Sequence, residues 1–237
     1  RLAPQNGWAA NDPQELKTVL ETIDTIRGNI SMADAIVLAG AAAIEKAALS
    51  GGHKVEVKVS TGRGDATDEQ TDGESFGPLE PFADGFRNYL RKKASVKTED
   101  LLIDKAHLLG LSIPEMTALV GGLRSLGAVS GNSNLGVLTD RPWTLSNDFF
   151  VNLYDMSTKW EVVDSDEELY LGRNRETGEE KYRATRADLI FGSNSQLRAV
   201  GETYAENGGE ARLIKDFVNA WVKVMEADRF DISHAKY

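Results

Sequence analysis

Apolar residues recur at helical spacing over most of the chain. Leu16, Val19, Leu20, Ile23 and Ile26 follow Asn11-Asp12-Pro13, a capping residue and then a proline suited to a first helical turn. The pattern predicts a helix that Gly28 closes. Ser31, with Asp34 three positions on, resembles a capping box with Asp in place of Glu, and it opens an apolar helix over 32–49. The Gly40-Ala41-Ala42-Ala43 stretch of that helix is small enough to let another helix approach closely. Further helices are predicted over 82–93, 98–109, 115–126, 146–156, 187–206 and 210–227. The one at 115–126 starts behind a second capping box, Ser112-Ile113-Pro114-Glu115. The last two meet at Asn207-Gly208-Gly209, and the final helix carries Leu213, Phe217, Ala220, Trp221 and Val224 on one core-facing stripe.

Two stretches depart from this period. Over 51–81, Val55, Val57 and Val59 alternate, and Gly62-Arg63-Gly64-Asp65 leads into a loop dense in Thr, Asp, Gly and Pro. Over 160–184, three short runs read as strands: Trp160 with Val162 and Val163, then Leu169 to Leu171, then Lys181 to Arg183. Glu176-Thr177-Gly178 is the turn between the last two. This predicts a small hairpin or three-stranded ribbon set in a helical body. No internal repeat and no dividing linker is visible, so residues 1–237 read as one mainly α domain.

Composition narrows the chemistry. The 237 residues include 27 Lys+Arg and 37 Asp+Glu, a net charge of −10 at pH 7, which disfavours a nucleic-acid partner because phosphate binding needs clustered cations. No uninterrupted apolar run approaches ~20 residues, so no membrane-spanning helix is expected. There is no cysteine, which removes disulfides, thiol nucleophiles and thiolate metal sites together. The three histidines, His53, His107 and His234, lack metal-ligand spacing. The acidic segments 65–74 and 164–168 lack the Asp-x-Asp-x-Asp-Gly spacing that wraps calcium and read as solvated loops. Gly62-x-Gly64 has no third glycine and no immediate helix, so it is a weak nucleotide signal. Phe191-Gly192-Ser193-Asn194-Ser195 is the nearest approach to a nucleophile elbow and reads as a polar loop or helix entry. The chain opens Arg1-Leu2-Ala3-Pro4-Gln5, with no initiator Met and no signal-peptide pattern, and is expected to be a piece of a longer polypeptide. The residues alone mark no active site.

Several segments nevertheless resemble, in order, the class I haem peroxidases of the plant-peroxidase superfamily. They are Ile30-Ser31-Met32-Ala33-Asp34 with Leu38-Ala39-Gly40, then Gly62-Arg63-Gly64-Asp65-Ala66-Thr67. After them come Leu111 to Gly122, Leu145-Ser146-Asn147-Asp148-Phe149-Phe150-Val151-Asn152-Leu153, and Tyr204-Ala205 with the run Asp216 to Met225. More narrowly, Leu79 to Tyr89, Thr139-Asp140-Arg141 and Phe191-Gly192-Ser193-Asn194-Ser195 resemble the C-terminal, haem-free half of bacterial-type catalase-peroxidases.

The resemblance implies a mainly α, haem-peroxidase-like domain that lacks its N-terminal distal helix, with a small β ribbon near 160–184. It places Arg124 at the family's haem-ligand His position, and a guanidinium has no free lone pair to give to iron. It places Leu123 where the family keeps a small residue, so that its bulk intrudes on a cofactor cavity, and Asp188 at the proximal Asp position. The distal Arg and His would precede Arg1. The implied domain holds no catalytic residue, metal or cofactor of its own. Haem b belongs to the N-terminal half of the parent protein, whose reaction is hydrogen peroxide dismutation and peroxidatic oxidation of donors. The implied role is support of that N-terminal haem domain and of subunit assembly, in a cytoplasmic homodimer without nucleic-acid or membrane partners. A binding module with a repurposed pocket for a small molecule or metal, and a self-sufficient peroxidase with another iron ligand, are the alternatives. An Arg on an otherwise apolar helix needs either a carboxylate, with Asp188 the leading candidate, or a route to water.

Overall fold

Local side chains that satisfy the first free backbone N–H groups set most of the helix starts. The computed structural model describes residues 1–91, 96–163 and 168–232, apart from the side chain of Asn132. Helix α1 (Pro13–Ile26) starts behind Asp12, whose carboxylate accepts from the Glu15 N–H. At α2 (Met32–Ser50), Ser31 Oγ accepts from the Asp34 N–H, and the Asp65 carboxylate takes the N–H groups of Met32 and Ala33 at 2.8 and 3.0 Å. The capping box expected here is half made, because the Asp34 carboxylate turns away to the N–H groups of Gly62 and Arg63. A four-residue α3 (Gly73–Phe76) and α4 (Thr98–Leu108) follow. Helix α5 (Ile113–Ser125) begins with the complete reciprocal box of Ser112 and Glu115. The remaining helices are α6 (Asp148–Leu153), α7 (Arg186–Ser193), α8 (Ser195–Ala205) and α9 (Gly209–Met225).

Helix α5 is the centre of the core and packs on α9, α8 and α6. Glycines in a helix interior cost roughly 1 kcal/mol each relative to Ala, and Gly121-Gly122 have a steric reason to be there. A Cβ on Gly121 would lie 2.2 Å from the Phe150 ring of α6, and one on Gly122 would lie 2.1 Å from the Phe217 ring of α9. The α9 stripe is core at Leu213, Phe217 and Ala220, as its spacing predicts. Gly40 of α2 likewise meets the Trp221 ring, 2.8 Å from where its Cβ would stand. Ala42 and Ala43 of the same small-residue stretch stay exposed.

Three expectations about elements need correction. The stretch predicted as one helix over 187–206 is two, because Asn194 leaves the helical region (φ −84°, ψ 127°) and its side chain caps the N–H groups of Gln196 and Leu197. The stripe of α1 is buried only at Ile23, while Val19 and Ile26 are exposed; its main helical neighbour is α2. The helix predicted over 82–93 is a hairpin as far as the described residues reach, with β1 (Ala83–Asp84) antiparallel to β2 (Tyr89–Leu90). Asp84 Oδ1 accepts from the Phe86 N–H, Asn88 takes a left-handed conformation (φ 52°), and Gly85 lies tight against Leu102. The carbonyls that a helix would use internally are drawn elsewhere, as described below.

The ribbon forms as its pattern predicts. Strands β3 (Thr158–Val162), β4 (Leu169–Asn174) and β5 (Glu180–Thr185) are antiparallel in that order, with Trp160 opposite Gly172 and Leu171 opposite Arg183. Strand β5 runs directly into α7. The alternating valines lie in an extended segment outside either sheet. Val57 is buried and its N–H goes to Glu45 Oε1, while the Ser60 N–H goes to Glu226 Oε1.

Candidate functional site

Arg124, in the last turn of α5, is fully buried, and so is Asp188 in the first turn of α7. The two meet, with Nε donating to Asp188 Oδ1 at 2.7 Å. Nη1 donates to the Phe86 carbonyl at 2.6 Å, and Nη2 donates to the Gly85 carbonyl and to Asn88 Oδ1 at 2.5 and 2.8 Å. Four donor contacts on a buried guanidinium offset much of its desolvation cost, which a single carboxylate would not. Asp188 Oδ2 accepts from the Thr185 N–H, from Thr185 Oγ1 and from Asn88 Nδ2, at 2.8, 3.0 and 2.9 Å. Gly136 closes the site at φ 77°, because a Cβ there would lie within 2.7 Å of Arg124 Nε, Asp188 Oδ2 and Asn88 Nδ2.

The hairpin thus fills the space beside the end of α5. A second cluster holds it from the other side. Asp84 is buried, and its Oδ2 accepts from Arg87 and Lys105 at 2.8 and 2.7 Å. Burial pushes its carboxyl up, but the Lys105 and Arg87 charges outweigh this and hold it below the ordinary Asp value. Leu123, expected to supply the bulk here, is only half-buried, and the groups bonded to the guanidinium all come from elsewhere. Asn88, Thr185, Gly136 and the two hairpin carbonyls were not legible as site groups. Their one local signal is the turn chemistry of Asp84-Gly85 and Asn88.

The other candidates have structural partners. Gly62-Arg63-Gly64-Asp65 ties loops to helices rather than cradling phosphate. The Arg63 guanidinium donates to the Ser60 and Met225 carbonyls and pairs with Asp34 and Asp228. The Asp34 carboxyl lies below its ordinary value, since the Gly62 and Arg63 N–H groups and the Arg63 charge outweigh the effect of burial. His53 Nε2 lies 3.3 Å from Glu210, His107 is exposed on α4, and His234 is outside the described residues. Of the acidic segments, Asp65 caps α2 and Glu168 accepts from Thr98 Oγ1, while 164–167 are outside the described residues. Ser193 and Ser195 end α7 and begin α8. Among the described residues no group of three His, Cys, Asp or Glu side chains could hold a metal ion, and no single helix is long and apolar enough to cross a membrane.

A family model described as peroxidase matches residues 1–207. Among curated proteins, the catalase-peroxidase of Erythrobacter litoralis is 69% identical over the whole of this chain and 33% of its own length. Those of Sphingopyxis alaskensis and Phenylobacterium zucineum are 57% and 56% identical, over 98% and 100% of this chain and 32% and 33% of theirs. The chain therefore spans about a third of the length of the relatives it matches and corresponds to part of a larger protein.

Proposed function

Since the chain belongs to the peroxidase family, we propose that residues 1–237 form one non-catalytic, C-terminal domain of a catalase-peroxidase. On this reading it supports the N-terminal haem domain of the same polypeptide and the assembly of a cytoplasmic homodimer. The parent protein dismutates hydrogen peroxide and oxidises donors with haem b held in its N-terminal half.

The buried Arg124 network carries the proposal. Where the resemblance expects an imidazole, this chain has a cation without a lone pair, and its N–H groups are committed to Asp188, Asn88 and two carbonyls. These residues do not fit haem. A flat macrocycle beside the end of α5 would have to displace Gly85, Phe86 and Asn88, and Gly136 lies too close to the network even for a methyl group. The arrangement does what a structural lock does, joining α5, the hairpin, the entry to α7 and the loop at 135–136.

The test is a haem titration of the purified chain and of its Arg124→His variant, reading the Soret band and peroxide consumption. Neither protein should give a stoichiometric five- or six-coordinate spectrum or turnover above free haem, because an imidazole alone restores neither space nor a proton shuttle for O–O cleavage. A stoichiometric haem spectrum with turnover in the unaltered chain overturns the proposal.

A further inference from the structure

A cavity of about 260 Å³ lies where the hairpin, the first turn of α4, strand β4 and the junction of β5 with α7 come together. It is partly enclosed, and its walls are mainly apolar, from Ala83, Leu90, Leu135, Leu169 and Ala187. Close packing normally removes such a space, since protein interiors hold few voids larger than a water molecule. An apolar cavity of about 150 Å³ takes one benzene, so this one has room for a single ring with a short substituent, about ten non-hydrogen atoms.

The polar side chains of the wall have protein partners, with one exception. Asn88 donates to the Leu135 carbonyl and to Asp188, and accepts from Arg124 and Thr185. Thr185 Oγ1 is also bonded to Asp188, and Thr98 Oγ1 donates to Glu168. Tyr89 is the exception. Its ring forms part of the wall, and its hydroxyl is buried with no hydrogen-bond partner among the described residues. A hydroxyl taken from water without a partner carries its full desolvation cost, which nearly all buried polar atoms in native structures avoid. A polar group on a molecule in the cavity would find there a donor and acceptor that is already buried. The Glu168 carboxylate in the same wall disfavours an anion.

We propose that this cavity binds a small neutral molecule, a single ring carrying one hydroxyl or carbonyl group that hydrogen-bonds to the Tyr89 hydroxyl. The proposal does not rest on the reading of the domain as non-catalytic. Gly85, Asn88 and Thr185 belong both to the wall and to the bonds around Arg124 and Asp188. The bonds that fix the hairpin therefore also fix this part of the wall, so the site is formed before the ligand arrives and little ordering opposes binding. The apolar walls supply the affinity, and the phenol hydroxyl sets which end of the ligand points inward.

The experiment photolabels the full-length protein with p-azidobenzyl alcohol, without peroxide, and maps the labelled peptides by mass spectrometry. Saturable labelling of peptides from the hairpin, β4 or the start of α7, displaced by benzyl alcohol and not given by the anion p-azidobenzoate, is the expected result. Tyr89→Phe removes the hydroxyl alone and should raise the half-saturating concentration roughly fivefold to tenfold. Without ligand the same variant should melt no lower than the parent, because the hydroxyl it loses makes no bond. Ala83→Leu adds bulk to the wall and should abolish the labelling; where it disturbs the hairpin pairing, Tyr89→Phe carries the test. No saturable labelling of these peptides, equal labelling by p-azidobenzoate, or labelling that Tyr89→Phe leaves unchanged overturns the proposal. A Tyr89→Phe protein that melts lower than the parent without ligand overturns it too, because the hydroxyl would then already be bonded.

Discussion

Replacing Arg124 with Met leaves a space of similar length filled by an uncharged side chain and takes away four donor contacts at once. Asp188 keeps Thr185 and Asn88 but loses its charge partner, and the carbonyls of Gly85 and Phe86 lose their donor. Breaking a buried pair from one side costs about 3–5 kcal/mol, and a buried carbonyl left without a donor costs about 1–3 kcal/mol. These terms overlap, because the hairpin can relax toward water once released, so we expect a net loss of about 5 kcal/mol. In a chain of this size that corresponds to a fall in Tm of about 10–20 °C. Urea unfolding of the purified chain, followed by circular dichroism, should show a lower midpoint with an unchanged slope. Adding Asp188→Asn to Arg124→Met removes the orphaned charge while keeping an acceptor for the Thr185 N–H, so the double variant should recover part of the loss. An Arg124→Met protein that melts within ~2 °C of the parent would refute the buried-lock argument.

Gly122→Ala sets a methyl 2.1 Å from the Phe217 ring and should cost about 1–3 kcal/mol in a thermal melt, while Gly121→Ala should do the same through Phe150. A Gly122→Ala protein as stable as the parent would show that α5 and α9 are not packed as described. Acid should loosen the hairpin. Asp84 has its carboxyl depressed in the folded state, so its contribution to stability is complete above the unfolded Asp value of 3.8 and is lost as pH falls through the lower folded value. An Asp84→Asn protein should therefore be less stable than the parent at neutral pH, with the gap closing at the acid end. A gap independent of pH would refute the assignment.

What could be read from the sequence was whatever depends on near neighbours. The Ser112–Glu115 box, the Asp12-Pro13 start and the turn before β5 are local hydrogen-bond arrangements, and each lies where its residues place it. The hairpin at 83–90 was illegible because its determinant is remote. The carbonyls of Gly85 and Phe86 are claimed by a guanidinium 38 or 39 residues later, so the helical spacing of this stretch loses to a tertiary bond. The break at Asn194 was written locally, as an Asn able to cap two N–H groups, yet periodic apolar residues on both sides masked it. For the site, Arg124 stood out against a family pattern and as a cation on an otherwise apolar helix, and Asp188 only by position. Asn88 and Thr185, which complete their bonding, carry no signal that separates them from ordinary turn and strand residues.

The reach of the Arg124 network along the chain has a kinetic consequence. Its bonds join residues 36 to 39, 64 and 100 positions apart, so α5, the hairpin and the entry to α7 must all be near their final places before the guanidinium can be satisfied. Each of those loops has to close before the whole network is made, so its full stabilisation comes late in folding. Its free energy arrives after the transition state and is therefore felt on the way out. Loss of the Arg124 side chain should therefore speed the opening of the assembled domain in stopped-flow unfolding and leave its rate of formation nearly unchanged.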